Sequence, residues 1–347
     1  MRKFMNMQSS NTIEQNDMQA ALYVLEQTIG FVFQAALRAA VQLNIADHLM
    51  QEAKTVEQLA AEIKADARVV KKILRVLATR KIFTCLDGTH YALTPEATFL
   101  CTDHPYSLRP AILWLTDKTF WLTSAEFTQS AYGKRVFEDL FGSTFFDYWE
   151  KNADQPDGFD EGQASLSKIE NEFILKNYTF PENIIVADIA GGLGNLLLEV
   201  LARNPSLKGI LFDRKHVLEK NILHRLKDNT RWTLQPGSFF EQCPEADIYL
   251  LKYITHDWSD DKLIEIFKTI RRAMKPTSKL LVMDAIIPED NRPHFGKELE
   301  LICFSVIHDS NEHTEAEFNA LFSQAGLKIN RIIPTESHIA IIETVPV

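Results

Sequence analysis

The 347-residue sequence predicts an α/β protein: a doubly wound, mainly parallel sheet preceded by a small winged-helix segment. Three observations carry that prediction. From residue 183 onward, short runs rich in β-branched residues alternate with helical stretches. A glycine loop, Gly191-Gly192-Leu193-Gly194, separates the first of those runs from the first of those helices. The opening hundred residues instead show three amphipathic helices followed by two short strands around a turn.

In the first segment, Leu22, Leu25, Ile29, Val32, Phe33 and Ala36 recur at helical spacing. Thr55 precedes a second helix, and Gln58 three residues on makes a capping box with it. A third helix starts near Asp66, with Val69, Val70, Ile73, Leu74 and Leu77 as its apolar stripe. Residues 82–86 and 91–94 then read as strands around the turn Asp87-Gly88. The third helix also carries Arg68, Lys71, Lys72 and Arg75, a pattern seen in DNA-binding winged helices. A solvated charged face is the favoured reading, because a larger domain follows and the whole chain is acidic.

Residues 105–180 are rich in aromatics, including Trp114, Phe120, Phe137, Phe145, Phe146, Trp149 and Phe159. Most of them belong in a core, and some suit the wall of a flat apolar pocket. Beyond them, strands are expected at 184–189, 209–212, 232–234, 248–251, 280–283, 327–333 and 339–342. Helices are expected near 194–203, 215–227, 259–274 and 314–325, the last capped by Thr314 with Glu317. Only five residues separate the two closing strands, too few for a parallel crossover, so these should run antiparallel. The domain division read from this pattern is 1–105, 106–180 and 181–347.

Composition narrows the class. The chain is 46% hydrophobic and 24% charged, which excludes wholesale disorder. Its formal charge of −10 lacks the electrostatic footprint of a nucleic-acid binder. Four cysteines, with no Cys-x-x-Cys pair, give neither a disulfide framework nor a metal signature, and suit a reducing cytoplasm. No signal peptide is evident, and no stretch reaches the roughly 20 apolar residues of a membrane helix. No nucleic acid, membrane or metal partner is therefore expected.

The chemistry-bearing residues cluster at strand ends. Gly192 and Gly194 match two positions of the dinucleotide fingerprint, but Leu197 occupies the third, so pyrophosphate recognition and a nicotinamide enzyme are disfavoured. Asp213 ends the second strand about 20 residues beyond the loop, where a carboxylate can accept both hydroxyls of a ribose. His256 follows the fourth strand, at the sheet edge where ligands bind, and suits a general base. Asp284 ends the fifth strand and Glu312 precedes the last helix. Brought near His256, these two acids would orient the imidazole and stabilise its protonated form.

At these residues the chain resembles the plant- and bacterial-type small-molecule O-methyltransferases, which use S-adenosylmethionine. The resemblance runs through Ser107-Leu108-Arg109-Pro110, Val136-Phe137-Glu138, the glycine loop, Leu211-Phe212-Asp213, Gly237-Ser238-Phe239-Phe240 and Leu251-Lys252. It continues through Ser259-Asp260 and His313-Thr314, and its most specific part is His256-Asp257-Trp258 followed by Glu312. It implies a Rossmann-like class I methyltransferase domain with an antiparallel closing strand, behind an α-helical winged-helix dimerisation domain. It implies a homodimer, S-adenosylmethionine as cofactor, and a small hydroxylated substrate, phenolic or enolic, from secondary metabolism. Gly191, Gly192, Gly194, Asp213, Ser238, Phe239 and Lys252 would serve the cofactor. Phe159, Gln163, Tyr253, Ile302 and Cys303 would line the acceptor pocket, with His256 as base beside Asp284 and Glu312.

Four positions depart from the family pattern: Ala190 replaces a glycine, Ser238 an acid, Asp309-Ser310-Asn311 a glycine-rich segment, and Arg214 an apolar residue. These departures keep an alternative open, a non-methylating S-adenosylmethionine-binding enzyme of the same fold (a decarboxylase, hydroxylase or pericyclase). A ligand-sensing winged-helix regulator is a further alternative.

Overall fold

A computed structural model describes residues 17–152 and 158–347. The chain forms two compact units, one running through Thr116 and the other from Asp117 to Val347.

The first unit is a winged helix. Helices Phe31–Gln42, Val56–Ile63 and Ala67–Ala78 pack around Leu59, Val70, Leu74 and Leu77. The Thr55–Gln58 capping box is formed on both sides. Strand β1 (Lys54–Thr55) pairs with β3 (His90–Leu93), which pairs with β2 (Phe83–Cys85), all antiparallel. The Asp87 carboxylate accepts hydrogen bonds from the Thr89 and His90 amides, which fixes the hairpin turn at Gly88. The unit ends at Thr116 rather than residue 105 because helix Arg109–Leu115 belongs to it. Arg38 donates to the Leu113 carbonyl and to Thr116, Arg109 donates to the Val41 carbonyl, and Leu113 joins the core.

The segment Asp17–Gln42 is long and apolar enough to cross a membrane by length and composition, which corrects the expectation that no stretch reaches that length. The reason is its low charge, since Asp17, Glu26 and Arg38 are its only ionisable side chains apart from Tyr23. Leu22, Leu25, Ile29 and Phe31 stand exposed along it.

The second unit is a seven-stranded sheet in the order β6-β5-β4-β7-β8-β10-β9. Its strands are β4 (Ile185–Ile189), β5 (Lys208–Asp213), β6 (Trp232–Pro236), β7 (Ile248–Lys252), β8 (Lys279–Ala285), β9 (Leu327–Pro334) and β10 (Ile339–Pro346). Strands β4 to β8 are parallel, and β10 lies antiparallel to both β8 and β9. Alternate residues of the central strands fill two cores. Ala187, Tyr249, Leu251 and Val282 face one, and Val186, Leu250, Leu281 and Met283 face the other. Burial on both faces is what a doubly wound parallel sheet requires. The chain steps from β4 to β5 and β6, then reverses direction to β7 and β8. A ligand crevice is therefore expected at the carboxyl ends of β4 and β7.

Two helical details differ from the sequence reading. The stretch expected at 215–227 holds only a short helix, Lys215–Leu218, and a 3-10 turn, Leu223–Arg225. The chain leaves the helix there because the Ile222 amide donates back to Leu193 of the glycine loop and Leu223 drops into the core. Helix Phe295–Val306, not expected from the pattern, follows β8 and packs on the turn Thr255–Asp257.

Candidate active site

The carboxyl ends of β4, β5 and β7 open onto a cavity of about 570 Å³. That volume lies in the range of small-molecule and cofactor sites. Its floor is the loop after β4. Gly192 has φ +57° and no atom within 4 Å of where a Cβ would stand, so its backbone leaves an open cradle. The Gly192 amide donates to Asp213 Oδ2 at 2.9 Å, and the Arg214 amide donates to Oδ1 at 2.7 Å. The Asp213 carboxylate is thereby pinned at the cavity edge. Ser238 and Phe239 follow β6, and Phe239 meets Trp258 edge-on at 5.8 Å.

Asp188, the penultimate residue of β4, lines the cavity at 2% exposure, and its Oδ2 has no hydrogen-bond partner among the described residues. Burial raises its pKa to about 7, opposed by the Leu197 amide and reinforced by the Asp213 charge. A buried carboxylate oxygen left open in a cavity wall calls for a cation or an N–H donor. The open backbone at Gly192, the pinned Asp213 and the orphaned Asp188 oxygen together fit a nucleoside that carries an ammonium group.

Next to the end of β7 lies a buried ionisable cluster. His256 Nδ1 is 3.1 Å from Asp284 Oδ1 and 3.3 Å from Glu312 Oε1. The second Asp284 oxygen accepts from the Thr255 amide at 3.2 Å and the Thr255 hydroxyl at 2.5 Å. Glu312 is delivered by a loop whose Asn311 amide donates to the His256 carbonyl. Burial alone would depress the His256 pKa. The charges of Asp284 and Asp257 and the hydrogen bonds to Asp284 and Glu312 overcome that and hold it well above the usual range. Burial raises Glu312 to about 7, helped by the charge of Asp284. Burial acts on Asp284 in the same direction, but the imidazole charge and the Thr255 bonds prevail and lower its pKa. The cluster can hold a proton on Nδ1 between two acids and present Nε2 as the exchangeable nitrogen. Nε2 itself lies 3.5 Å from Asp257 Oδ1. The donor atoms of His256, Asp284 and Glu312 lie within 4.8 Å of one another, close enough for a cation, but Nδ1 is already hydrogen-bonded to Asp284 and lies at ion-pair distance from Glu312.

Of the residues singled out in the sequence, Gly191, Gly192, Asp213, Ser238, Phe239, Lys252, Phe159, Gln163 and Tyr253 line the cavity. Gly194 does not; it has φ +85° and caps helix Asn195–Arg203, packed against Leu211 and Leu223. His256, Asp284, Glu312, Ile302 and Cys303 also lie outside the lining. Cys303 sits within the electrostatic reach of the cluster, and burial pushes its thiol up to about 12. Phe146, Trp149 and Phe159 form an aromatic end to the cavity, with Phe146 meeting Phe159 edge-on at 6.0 Å. The sequence reading missed Asp188 and Glu170. Asp188 did leave a signal: it is the one acid in the otherwise apolar strand Val186-Ala187-Asp188-Ile189, directly before the glycine loop.

Comparison with known proteins places the chain. The model of the O-methyltransferase domain matches residues 121–328, and that of the O-methyltransferase dimerisation domain matches residues 25–103. The phenazine O-methyltransferase PhzM of Lysobacter antibioticus is 33% identical, over 93% of this chain and 96% of that protein. The mitomycin biosynthesis 6-O-methyltransferase of Streptomyces lavendulae is 31% identical over the same shares. Among solved structures, CalO1, a methyltransferase in calicheamicin biosynthesis crystallised with SAH, aligns with a TM-score of 0.90 and 35% identity. That alignment covers 95% of this chain and 99% of CalO1. The chain is a methyltransferase and belongs to the O-methyltransferase family that carries an N-terminal dimerisation domain.

Proposed function

We propose that the protein transfers a methyl group from S-adenosylmethionine to a phenolic or enolic hydroxyl of a small aromatic metabolite, with His256 as the general base. The observation that carries this reading is the pairing of a cavity walled by the glycine loop, Asp188 and Asp213 with a buried His–Asp–Glu cluster beside it. S-adenosylmethionine would supply an electrophilic methyl group on a sulfonium centre. Asp213 would hold the ribose hydroxyls, Asp188 the ammonium group, and Ser238 with Phe239 the adenine. Lys252 and the backbone of Gly191 and Gly192 border the same space.

A free phenol has a pKa near ~10 and is a poor nucleophile at neutral pH. His256 takes its proton at Nε2 while Asp284 and Glu312 hold Nδ1, a step that typically contributes about 10²–10⁴-fold. The remaining acceleration comes from alignment within a closed pocket. Phe146, Trp149, Phe159, Gln163 and Tyr253 would cradle the acceptor ring, while Ile302 and Cys303 stand outside the cavity lining. The names of the relatives point the same way, one being a phenazine O-methyltransferase and the other a 6-O-methyltransferase of mitomycin biosynthesis. The non-methylating alternative has no use for a buried base cluster of this kind.

The dimerisation domain supports a homodimer, and the exposed apolar run from Leu22 to Val32 supplies surface for it. The cytoplasm is the proposed compartment, in keeping with four unpaired cysteines. Calorimetric titration with S-adenosylmethionine and S-adenosylhomocysteine, followed by a screen of phenolic acceptors, tests the reading. Micromolar binding and methylation of a phenol are expected. Binding with turnover but no methylated product would favour the non-methylating alternative.

A further inference from the structure

Helix Phe159–Asn177 presents Phe159, Gln163 and Ser167 at four-residue intervals, and all three line the cavity. That spacing sets them along one helical face. The same face continues into Glu170 and Asn171, which are fully buried. Here the helix is gripped by the end of β7. Lys252 Nζ lies 2.8 Å from Ser167 Oγ, 3.1 Å from Asn171 Oδ1 and 2.9 Å from Glu170 Oε2. The ammonium donates hydrogen bonds to Ser167 and Asn171, and Glu170 Oε2 pairs with it by charge. The ion pair is buried, with 8% of the Lys252 side chain and 3% of the Glu170 side chain exposed.

The other Glu170 oxygen accepts from the Tyr253 hydroxyl at 2.5 Å. That hydroxyl also meets His338 Nε2 at 2.6 Å, and the His338 ring is held between Tyr253 and Phe295. Tyr253 has φ +54°, a conformation an L-residue keeps only where its surroundings enforce it. Two successive residues of β7 and its exit, together with the β9–β10 loop, therefore converge on a single carboxylate. Asn171 extends the network to Glu199 of the helix that follows the glycine loop, at 3.2 Å.

We propose that Glu170 and His338 are positioning residues for the acceptor. Acting through Lys252 and Tyr253, they lock the helix along its own axis and so set where Phe159 and Gln163 stand over the cavity. Phe159 lies eight residues from Ser167, about 12 Å along the helix. A small slip at the clasp therefore moves the acceptor wall as a rigid lever. Lys252 on this account is committed to Glu170, and its charge is neutralised there rather than spent on the cofactor. The inference rests on the cavity being a methyl-transfer site.

The test uses the full-length protein, radiolabelled S-adenosylmethionine, 2-naphthol as probe acceptor, and the variants Glu170→Gln, Glu170→Asp, Tyr253→Phe and His338→Gln. For Glu170→Gln the acceptor KM should rise about 10-fold while kcat falls less than about 3-fold, a loss of positioning rather than of chemistry. Its S-adenosylhomocysteine Kd should stay within about 2-fold. Glu170→Asp should recover part of the KM. Because the groups share one network, Glu170→Gln combined with Tyr253→Phe should be no worse than Glu170→Gln alone. An S-adenosylhomocysteine Kd weakened about 10-fold at unchanged acceptor KM would overturn the proposal and make Lys252 a cofactor ligand. An unchanged KM in Glu170→Gln, or strictly additive effects, would overturn it as well. Should Glu170→Gln fail to fold, His338→Gln, whose side chain does not line the cavity, carries the same readouts. If the wild type binds S-adenosylhomocysteine yet methylates no phenol, the functional reading fails instead. The clasp is then decided by amide exchange over residues 159–167 in the S-adenosylhomocysteine complex. Exchange about 10-fold faster in Glu170→Gln or Tyr253→Phe supports it, and unchanged exchange overturns it.

Discussion

Ala190 stands where the glycine loop begins, with φ +54°, a left-handed conformation. Its amide donates to the Phe212 carbonyl at 2.8 Å, which ties the residue to β5 and leaves the backbone no freedom to relax. An L-residue in this region costs about 1–2 kcal/mol relative to the right-handed form. Replacing it by glycine removes that strain but loosens the unfolded chain, at about 0.5–1 kcal/mol. The difference predicts that Ala190→Gly stabilises the protein by about 0.5–1 kcal/mol. For a cooperative unit the size of the second one, that is a Tm increase of about 1–4 °C. Differential scanning calorimetry without ligand measures it directly. A lower Tm would mean instead that the methyl group contributes more through packing than its backbone conformation costs. Ala190 also lines the cavity, so titration of the same variant with S-adenosylhomocysteine reports whether the methyl group crowds the ligand.

Three other outcomes follow from the site and the sheet. Ser238 lines the cavity as a neutral hydroxyl, so Ser238→Asp should tighten S-adenosylmethionine binding about 5-fold by adding a charged acceptor; unchanged affinity by calorimetry would show that this side chain does not meet the adenine. His256 is held well above its ordinary pKa of 6.5 and must lose its proton before it can accept another, so kcat/KM should climb with pH along a limb that lies above 6.5. A limb at or below 6.5 would mean that the acids do not charge the imidazole. Glu343 is fully buried, which by itself would raise its pKa. Hydrogen bonds from Arg331, Lys279, Asn330 and Tyr178 instead bring it from 4.5 down to about 2. The stability it contributes is complete above 4.5 and is lost as pH falls toward 2. Urea unfolding between about pH 6 and pH 3 should therefore show a steeper acid decline in the wild type than in Glu343→Gln, which starts about 1–3 kcal/mol lower. Parallel declines would remove Glu343 from that role.

Much of the architecture was legible before any coordinates. The seven strands of the large sheet follow runs of β-branched residues, and both predicted capping boxes, at Thr55 and Thr314, are made. Such signals are local, and buried parallel strands strengthen them because both faces are apolar. Helix Phe295–Val306 escaped although Leu299, Ile302, Cys303 and Val306 keep helical spacing, because Leu301 and Phe304 between them are apolar too and blur the stripe. The helix at 215–227 was overcalled because a periodic pattern cannot register that Ile222 hydrogen-bonds back to Leu193. At the site, His256 and Asp284 could be proposed from their places at strand ends, and Glu312 from its place before the last helix. Their convergence on a single ring nitrogen depends on the loop that carries Asn311. Glu170 gave no signal, since in sequence it is one acid on a helix that also carries Asp160, Glu161 and Glu172. Only the fold sets it against Lys252, 82 residues away.

The central claim is that His256 moves the acceptor proton while the neighbouring cavity holds the cofactor independently of it. The most direct test compares the wild type with His256→Ala in single-turnover methylation of a phenolic acceptor and in calorimetric binding of S-adenosylhomocysteine. In His256→Ala, methyl transfer should slow by about 10²–10⁴-fold with cofactor affinity unchanged within about 2-fold. Equal transfer rates, or loss of S-adenosylhomocysteine binding in the variant, would contradict the claim and leave His256 a structural residue.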